Sequence, residues 1–556
     1  MKLRRSLIAV AAIAALSTSV LAGCAAGGGS NDSGGSGESP ALTIAKPDGA
    51  ITTESNNPWV GDSSANRLGY KNVIFEPLAM VNAVGDNETT PWLAEKVEWS
   101  DDYTQLTVTP RKGVTWSDGE EFTADDIVFS YDMIRKTPAF DTGNIQLTDI
   151  VKDGDDVVLT FGESKFVKQS QVLHIPMVPE HIWKDIADPT TEVAPDPVGT
   201  GPYTLEKFSS QSVTLQARDD YWGGDLAVPT LYYISYNDNT ALTTALANGD
   251  ADWAQAFIPD VQGAFVDKDP EHNVFWAANT LSPDVLFLNH QQKPFDDLAF
   301  RQAVNMVIDR AAHTEIAREK AGPELTSVTG LPTPVGEQYI ADEYKGEEFS
   351  IDVEGARKIL EEAGYTWDGD ALIDPDGEPV SFTLQVPQGW NDYVTGISLI
   401  ADQVKETLGA DAKVDTPDAD TWWANKRSGD FDAIMHWTDG GTTPYDLYSD
   451  TMDGRWLLAG ADVDFNFGRY ENAEVTELLN TYATSASDEE RTAAIEQVQK
   501  IFVEDVPVIP VGTHPVLGEY NTRGYVGWPG EEDQYATADP TQVTVPLILT
   551  KLKPAE

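Results

Sequence analysis

Cysteine is almost absent from this 556-residue chain, in which Cys24 is the only one. A single cysteine excludes a disulfide framework, and it also excludes metal sites that are built from several cysteines. The length exceeds what one hydrophobic core usually organises, so we expect two or three domains that are stabilised by apolar packing.

Basic residues are also scarce. Lys and Arg number 37 against 91 Asp and Glu, which gives a formal net charge of −54 at pH 7. An electrostatic field of this sign repels the phosphates of nucleic acids and anionic lipid head groups, and it keeps a chain soluble. We therefore expect no nucleic-acid partner, and we interpret the acidity as a property of the surface rather than as a site for a cationic partner.

The motifs of common catalytic and cofactor sites are missing. The chain has no GxSxG, HExxH or GxxxxGK[ST] sequence, and Gly199-x-Gly201 lacks the third glycine of a dinucleotide-binding loop. No two histidines are three or four residues apart; they are His174, His181, His272, His290, His313, His436 and His514. We expect no cofactor, no metal site and no enzymatic activity. A secreted hydrolase with paired carboxylates in a cleft stays open as an alternative, because so many acids allow chance pairs.

The N-terminus has the pattern of an export signal. Met1-Lys2-Leu3-Arg4-Arg5 is positively charged, and Leu7 to Val20 is an apolar stretch too short for a stable membrane span. Leu21-Ala22-Gly23-Cys24 then resembles the lipobox of bacterial lipoproteins, in which cleavage leaves the cysteine as the lipid-modified first residue. Residues 1–23 are predicted to be the signal peptide and residues 24–40 a Gly- and Ser-rich tether. The protein is then anchored to the outer face of the cytoplasmic membrane by lipid on Cys24.

Beyond residue 41 the hydrophobic pattern alternates between strand and helix, which favours α/β lobes. A capping box is predicted at Thr123–Asp126 and a β-hairpin around Gly154. Strands are predicted at 42–44, 231–236, 285–288, 382–386 and from Phe431, and helices at 239–247, 297–310, 353–363, 392–408, 474–482 and 488–503. An apolar run at 506–511 follows the last of these helices.

Three segments carry a family resemblance when they are taken in order. They are RKGVTWSDGEEFTADDIVFSY at 111–131, VGTGPY at 198–203, and LFLN, PFDD, RQAVN and IDR between 286 and 310. Together they resemble the extracellular solute-binding protein family 5, the peptide- and nickel-class receptors of ABC importers. The resemblance covers roughly residues 42–510.

The resemblance implies an α/β fold of the two-lobed periplasmic-binding-protein type (type II) with an extra inserted domain. By analogy, the predicted bounds are 41–81, 196–278 and 506–556 for the discontinuous first lobe, 82–195 for the inserted domain, and 279–505 for the other lobe. The implied function is extracytoplasmic ligand capture by lobe closure, followed by delivery to an ABC permease and its ATPase. We expect a monomer. A chaperone-like or signalling lipoprotein on the same fold stays open.

The stretch Phe431 to Tyr448 is the predicted centre of the ligand site. Its apolar start reads as a buried strand, and Asp439-Gly440-Gly441 then begins a loop. In open α/β sheets, ligands bind just beyond the carboxyl ends of strands, so this loop is a natural wall of a site. Candidate ligand contacts here are Trp437, Asp439 and Tyr445.

The spacing after Trp437 bears on the ligand class. In peptide-binding members of the family, an Asp three residues after this Trp pairs with the ligand's amino group, and a Pro follows at seven. Pro444 keeps its place, but Gly440 stands at the third position and Asp439 comes one residue earlier. A buried ammonium without a partner costs several kcal/mol. We therefore favour a neutral, cellobiose-like oligosaccharide, and keep an oligopeptide paired with Asp439 as the alternative.

Sugars need flat aromatic faces and a ring of polar partners. Tryptophans at apparent ends of elements supply candidate platforms, and nearby polar residues supply candidate hydroxyl partners. Besides the residues of the central stretch, the predicted contacts are Trp59, Trp253, Gln255, Asn289 and Trp390.

Overall fold

Three larger β-sheets organise the computed structural model, which describes residues 40–47, 49–85, 87–460 and 462–555. The first sheet has seven strands, in the order Asn273–Ala278, Val516–Asn521, Trp253–Ala254, Leu42–Lys46, Thr230–Ser235, Ser212–Ala217 and Tyr203–Phe208. The second has five, in the order Asp411–Asp415, Ser381–Gln385, Ala433–Trp437, Pro283–Leu288 and Val508–Thr513. The third has four, in the order Ala94–Trp99, Gln105–Pro110, Asp156–Phe161 and Leu147–Asp153.

Three strand pairs stand outside these sheets: Ala79–Val81 with Thr89–Pro91, Thr366–Asp368 with Ala371–Ile373, and Tyr525–Val526 with Lys553–Pro554. The α-helices are Ser64–Leu68, Lys71–Ile74, Ala124–Lys136, Gln169–Leu173, Glu180–Trp183, Asn239–Asn248, Val261–Ala264, Leu298–Asn305, Arg310–Ala312, Val353–Glu362, Asn391–Leu408, Ala419–Ser428, Tyr445–Met452, Ala473–Thr484, Asp488–Asp505 and Val545–Lys551. Short 3₁₀ turns lie at Pro138–Phe140, Phe166–Lys168, Val266–Lys268, Glu337–Tyr339, Asp342–Tyr344 and Gly454–Ala459, and a π turn lies at His313–Ala317.

Local sequence signals explain several of these boundaries. Thr123 accepts a hydrogen bond from Asp125 N, and the Asp126 side chain accepts one from the Thr123 backbone, so the predicted capping box is confirmed. The predicted hairpin is confirmed by the antiparallel pair Asp153 and Asp156. The helix predicted at 297–310 is shorter than expected. It stops at Asn305, and Asp309 caps a separate turn by accepting from Ala312 N.

The fourth strand of the five-stranded sheet, Pro283–Leu288, is buried at every position. It pairs antiparallel with Ala433–Trp437 on one side and with Val508–Thr513 on the other. The sequence had assigned 506–556 to the first lobe, yet Val508–Thr513 lies in the sheet with 283–288, while Val516–Asn521 lies in the seven-stranded sheet. The chain therefore passes between the two sheets near His514. As a set, the predicted domain bounds stay a prediction.

The Gly-Thr-Gly turn at 199–201 packs directly on the helix Lys71–Ile74. Gly201 N donates to Ile74 O at 2.9 Å, and a Cβ at Gly199 would overlap the same carbonyl oxygen. Only a residue without a side chain permits this approach of two backbones.

We expect Gly199→Ala to destabilise the fold by about 1–3 kcal/mol, because the turn or the helix must move to admit a methyl group. Thermal unfolding monitored by circular dichroism measures the loss. Gly61→Ala is the matched control, since a Cβ there meets nothing within 4 Å. Equal unfolding temperatures for the two variants would show that the close approach is unimportant.

Candidate functional site

A cavity of about 390 Å³ lies beyond the end of the strand Ala433–Trp437 and includes the loop 438–442 in its wall. Among the lining residues that the structure describes, Asp439 is the carboxylate, and neither Lys nor Arg occurs. Nine lining side chains are neutral hydroxyls or amides: Asn82, Ser170, Thr280, Ser282, Thr438, Thr442, Thr537, Gln542 and Thr544. The cavity is therefore polar, with one acidic group.

Several distant parts of the chain meet at this cavity. Residues 81–83 follow the short strand Ala79–Val81, and His174 follows the helix Gln169–Leu173. Residues 537–544 come from the tail, while the loop 438–442 comes from the five-stranded sheet. The Thr442 carbonyl accepts hydrogen bonds from Asn87 Nδ2 at 3.3 Å and from Tyr339 Oη at 2.9 Å, so two separate segments fix this loop.

Trp437 lines the cavity and belongs to a group of stacked rings. Its indole lies nearly parallel to His436, His514 and Trp390, with centroids at 4.1, 4.9 and 5.7 Å. These rings occupy flat surface that a stacked sugar would need. Trp437 is half-buried.

The two glycines after Asp439 permit close packing of the loop. A Cβ at Gly440 would lie 3.2 Å from Ser282 Cβ and 3.4 Å from Thr280 Oγ1, and one at Gly441 would overlap the Asp446 carboxylate. Asp439 itself is exposed at the cavity, and its backbone N donates to Asp450 Oδ2 at 2.7 Å. The loop is thereby held with its one free carboxylate at the ligand space.

Three carboxylates lie close together behind this wall. Desolvation raises the pKa of Asp439 even though the residue is exposed at the cavity, and the Lys426 charge opposes that rise. Burial, followed by repulsion from Asp439, raises the pKa of Asp446 to about 7 and that of Asp450 well above its usual value. Ionisation of Asp446 and Asp450 is therefore opposed more strongly than that of Asp439, which leaves Asp439 as the carboxylate that most readily bears charge.

A buried charge group lies beneath Trp437. Asp284, which is the strand partner of Trp437, accepts hydrogen bonds from Tyr393 Oη and from His514 Nδ1 at 3.0 Å. Arg318 lies 3.8 Å from its other oxygen and pairs with Asp392 at 2.5 Å. Burial alone would raise the pKa of Asp284, but His514 and Arg318 outweigh it and lower that pKa to about 2. The group anchors His514 at the cavity wall.

Of the predicted contacts, Trp437 and Asp439 line this cavity, whereas Trp253, Asn289 and Trp390 are placed elsewhere. Trp253 is fully buried, with its Nε1 donating to Ala538 O at 2.6 Å, and it has no surface to offer a ligand. Asn289 lies past the opposite end of the strand Pro283–Leu288, where it donates to the carbonyls of 429 and 431. Trp390 does not line the cavity, and its ring stacks on that of Trp437.

Tyr445 begins the helix that follows the loop; its hydroxyl accepts from Arg455, and its ring stacks on Tyr482. Gln255 is half-buried after the strand Trp253–Ala254 and does not line this cavity. Trp59 stacks on Phe140 at 5.5 Å in the wall of a neighbouring cavity. Cys24 lies outside the described residues.

Sequence reasoning missed Ser282, Thr280 and His514, which line the cavity next to the paired strand ends at Pro283 and Thr513. The rule that singled out the loop after Trp437 would have found His514, because it follows the apolar run at 506–511 by three residues. Asn82 and Gln542 gave no sequence signal, since nothing in the pattern connects their segments to this sheet.

We expect Asp284→Asn to destabilise the protein by about 3–5 kcal/mol, because it removes the charge that faces Arg318 in a buried site. In the wild type the contribution of Asp284 is present above its unfolded pKa of about 3.9 and is lost as the pH falls toward 2. Thermal unfolding between pH 2 and 7 measures both effects.

Asp155→Asn serves as the control for this experiment. Its partner Lys112 lies at 3.3 Å, but the side chains are 82% and 76% exposed, so a change under about 1 kcal/mol is expected. If Asp284→Asn and Asp155→Asn lower the stability by similar amounts, the stabilising role given to the buried group around Asp284 is wrong.

Among the described residues, no helix is both long and apolar enough to cross a membrane. No group of three or more His, Cys, Asp or Glu side chains within the described ranges is arranged to hold a metal ion.

Comparisons with known proteins agree with the architecture. The chain is 28% identical over 455 residues to protein XP55 of Streptomyces lividans, covering 80% of each chain. It is 25% identical over 439 residues to the oligopeptide-binding protein AppA of Bacillus subtilis, covering 75% of this chain and 76% of AppA. A mannohexaose-bound periplasmic oligopeptide-binding protein of Thermotoga maritima has the same fold, with a TM-score of 0.76 at 24% identity, over 92% of this chain and 98% of that one.

The sequence profile described as bacterial extracellular solute-binding proteins, family 5 Middle, matches residues 88–456, which is more than half of the chain. The fold is accordingly the two-lobed one of periplasmic binding proteins, and this is a family of solute-binding receptors rather than enzymes. The chain belongs to the family 5 extracellular solute-binding proteins, the extracytoplasmic substrate-binding receptors of ABC importers.

Proposed function

We propose that this receptor captures short peptides by pairing their free ammonium group with Asp439, and that it delivers them to an ABC permease and its ATPase. The observation that carries the proposal is the position of Asp439, exposed at a cavity whose described lining contains neither Lys nor Arg. The relative AppA, whose name states oligopeptide binding, supports the same ligand class.

The electrostatics of the loop favour a cationic ligand. Repulsion from Asp439 raises the pKa of both Asp446 and Asp450, so a positive charge that pairs with Asp439 relieves that repulsion. Charge-assisted hydrogen bonds between an ammonium and a carboxylate are shorter and stronger than neutral ones. The nine hydroxyl and amide side chains can serve the amides of the peptide backbone.

Asp439 also supplies the acid that the peptide-binding pattern would place at position 440, where this chain has a glycine. The loop places it at the cavity, while Gly440 packs against Ser282 and Thr280. An acid at position 440 is therefore unnecessary for an ammonium partner. Closure of the two lobes would follow from tighter binding in the closed state, which shifts the population.

A neutral oligosaccharide is the second candidate ligand. It is favoured by the hydroxyl-rich lining and by Trp437, and the Thermotoga maritima protein shows that this fold admits mannohexaose. Against it, rings of the protein already stack on Trp437, and Trp253 and Trp390 are absent from the cavity wall.

Calorimetric titration separates the two candidates. We expect peptides with a free amino terminus to bind, and N-acetylation or Asp439→Asn to weaken them roughly tenfold to hundredfold, since a hydrogen bond to a charged group contributes about 1.5–3 kcal/mol. The affinity should fall as the pH is lowered through the raised pKa of Asp439, because the protonated acid cannot pair with an ammonium, and Asp439→Asn should remove this dependence. Asp155→Asn is the control.

Cello- and manno-oligosaccharides are titrated beside the peptides. Binding of sugars but not of peptides, with a roughly tenfold to hundredfold loss in Trp437→Ala, would refute the ammonium pairing and establish the second candidate.

We also propose that lipid on Cys24 anchors the receptor to the outer face of the cytoplasmic membrane. The support is the sequence Leu21-Ala22-Gly23-Cys24 and the Gly- and Ser-rich segment that follows. Cys24→Ala should move the protein from the membrane fraction to the soluble fraction and abolish incorporation of labelled fatty acid. A variant that still carries lipid and stays in the membrane fraction would contradict the proposal.

A further inference from the structure

A second cavity, of about 290 Å³, lies beside the first. The two share one lining residue, His174, and helix neighbours Ser170 and Gln171 line the first and the second respectively. Ligand pockets usually measure about 300–1,000 Å³, so each cavity alone is near the lower limit and the two together lie well within it. His174 is the wall that they have in common.

His174 is a neutral hydrogen-bonding group at this junction. Its Nε2 accepts from Val81 N at 2.8 Å, which places the ring proton on Nδ1. Burial and then the nearby Lys71 charge lower the pKa of His174 to about 4, so it stays neutral near pH 7. A neutral imidazole carries no charge that would repel either end of a ligand lying past it.

Lys71 supplies a positive charge to the second cavity. It is half-buried, and no described carboxylate lies within salt-bridge distance of its Nζ. Asp141 also lines this cavity, but its two oxygens accept from Ile145 N at 2.7 Å and Gln146 N at 3.3 Å. Burying a cation without a counter-charge is costly, and desolvation lowers the pKa of Lys71 accordingly.

Apolar side chains, two of them aromatic, form much of the remaining wall. Trp59 stacks on Phe140 at 5.5 Å, and Ile134 and Ile145 lie nearby in the lining. Apolar walls reduce the local dielectric constant, which strengthens the attraction between Lys71 and any anion that enters.

We propose that the second cavity binds the carboxylate end of the ligand against Lys71, so that the receptor selects short zwitterionic peptides lying past His174. The inference rests on the proposed function, since it assigns the opposite end of a peptide whose ammonium pairs with Asp439. The described lining of the first cavity offers the Asp439 carboxylate and neither Lys nor Arg, whereas that of the second offers the Lys71 ammonium, which is in no described ion pair. The two cavities are therefore complementary to the two ends of a zwitterion.

The experiment compares matched peptides on the full receptor by calorimetry: a free acid, its C-terminal amide, the amide with one glutamate side chain, and the N-acetylated free acid. We expect the wild type to bind the free acid at least tenfold more tightly than the amide. Lys71→Met keeps the length of the side chain and removes its charge, and it should abolish that preference while leaving the amide's affinity unchanged. If the glutamate-bearing amide binds the wild type as tightly as the free acid does, Lys71 pairs with a side-chain carboxylate rather than with the C-terminus of the peptide.

The controls separate failure of the inference from failure of the proposed function. Lys184→Met removes an exposed lysine away from both cavities and should change neither affinity. Peptides that need a free amino terminus but bind equally as acid and amide would overturn the inference and leave the ammonium pairing standing. Binding of no peptide at all would overturn both. The acid–amide comparison in the wild type needs no variant, so it stays decisive if Lys71→Met fails to fold.

Discussion

The candidate site depends on one buried carboxylate at the end of one strand. Asp284 is fully buried, yet it stays ionised because its contacts with His514 and Arg318 and the hydrogen bond from Tyr393 lower its pKa to about 2. An isolated carboxylate in such a place would be protonated or would disrupt the core. Its partners come from positions 318, 393 and 514, so satisfying this one charge brings three distant segments to the strand Pro283–Leu288.

The same constraint places groups that line the candidate cavity. His514 is fixed through Nδ1 by Asp284, and Trp437 stacks on His514 while it pairs with Asp284 across the sheet. The loop that follows Trp437 then begins from a rigid position, and Gly440 can pack on Ser282. Rigid elements hold the wall of the cavity, and the exposed carboxylate of Asp439 is the part left free to contact a ligand. Preorganisation of this kind lowers the cost of binding.

Sequence reasoning predicted what local patterns determine. The capping box at Thr123, the hairpin at Gly154 and the strand ending at Trp437 follow from short-range rules, and the structure confirms each of them. No local sequence pattern indicates which distant segments pair with each other. Nothing near Val508 indicates that it pairs with the strand Pro283–Leu288, and nothing near Trp253 separates a core tryptophan from a ligand platform. Asn82 and Gln542 reach the cavity only through tertiary packing.

The acids behind the loop decide more about the ligand than the tryptophans do. Asp450 is buried and Asp446 is half-buried close to Asp439, neither has a described salt-bridge partner, and repulsion from Asp439 raises the pKa of both. A hydroxyl-bearing ligand can hydrogen-bond to the cavity but leaves that repulsion in place. An ammonium removes it and gains a charge-assisted hydrogen bond as well. Two ligands with equally good contacts along the neutral lining would therefore differ in affinity in favour of the cation, because only the cation compensates the charge of Asp439.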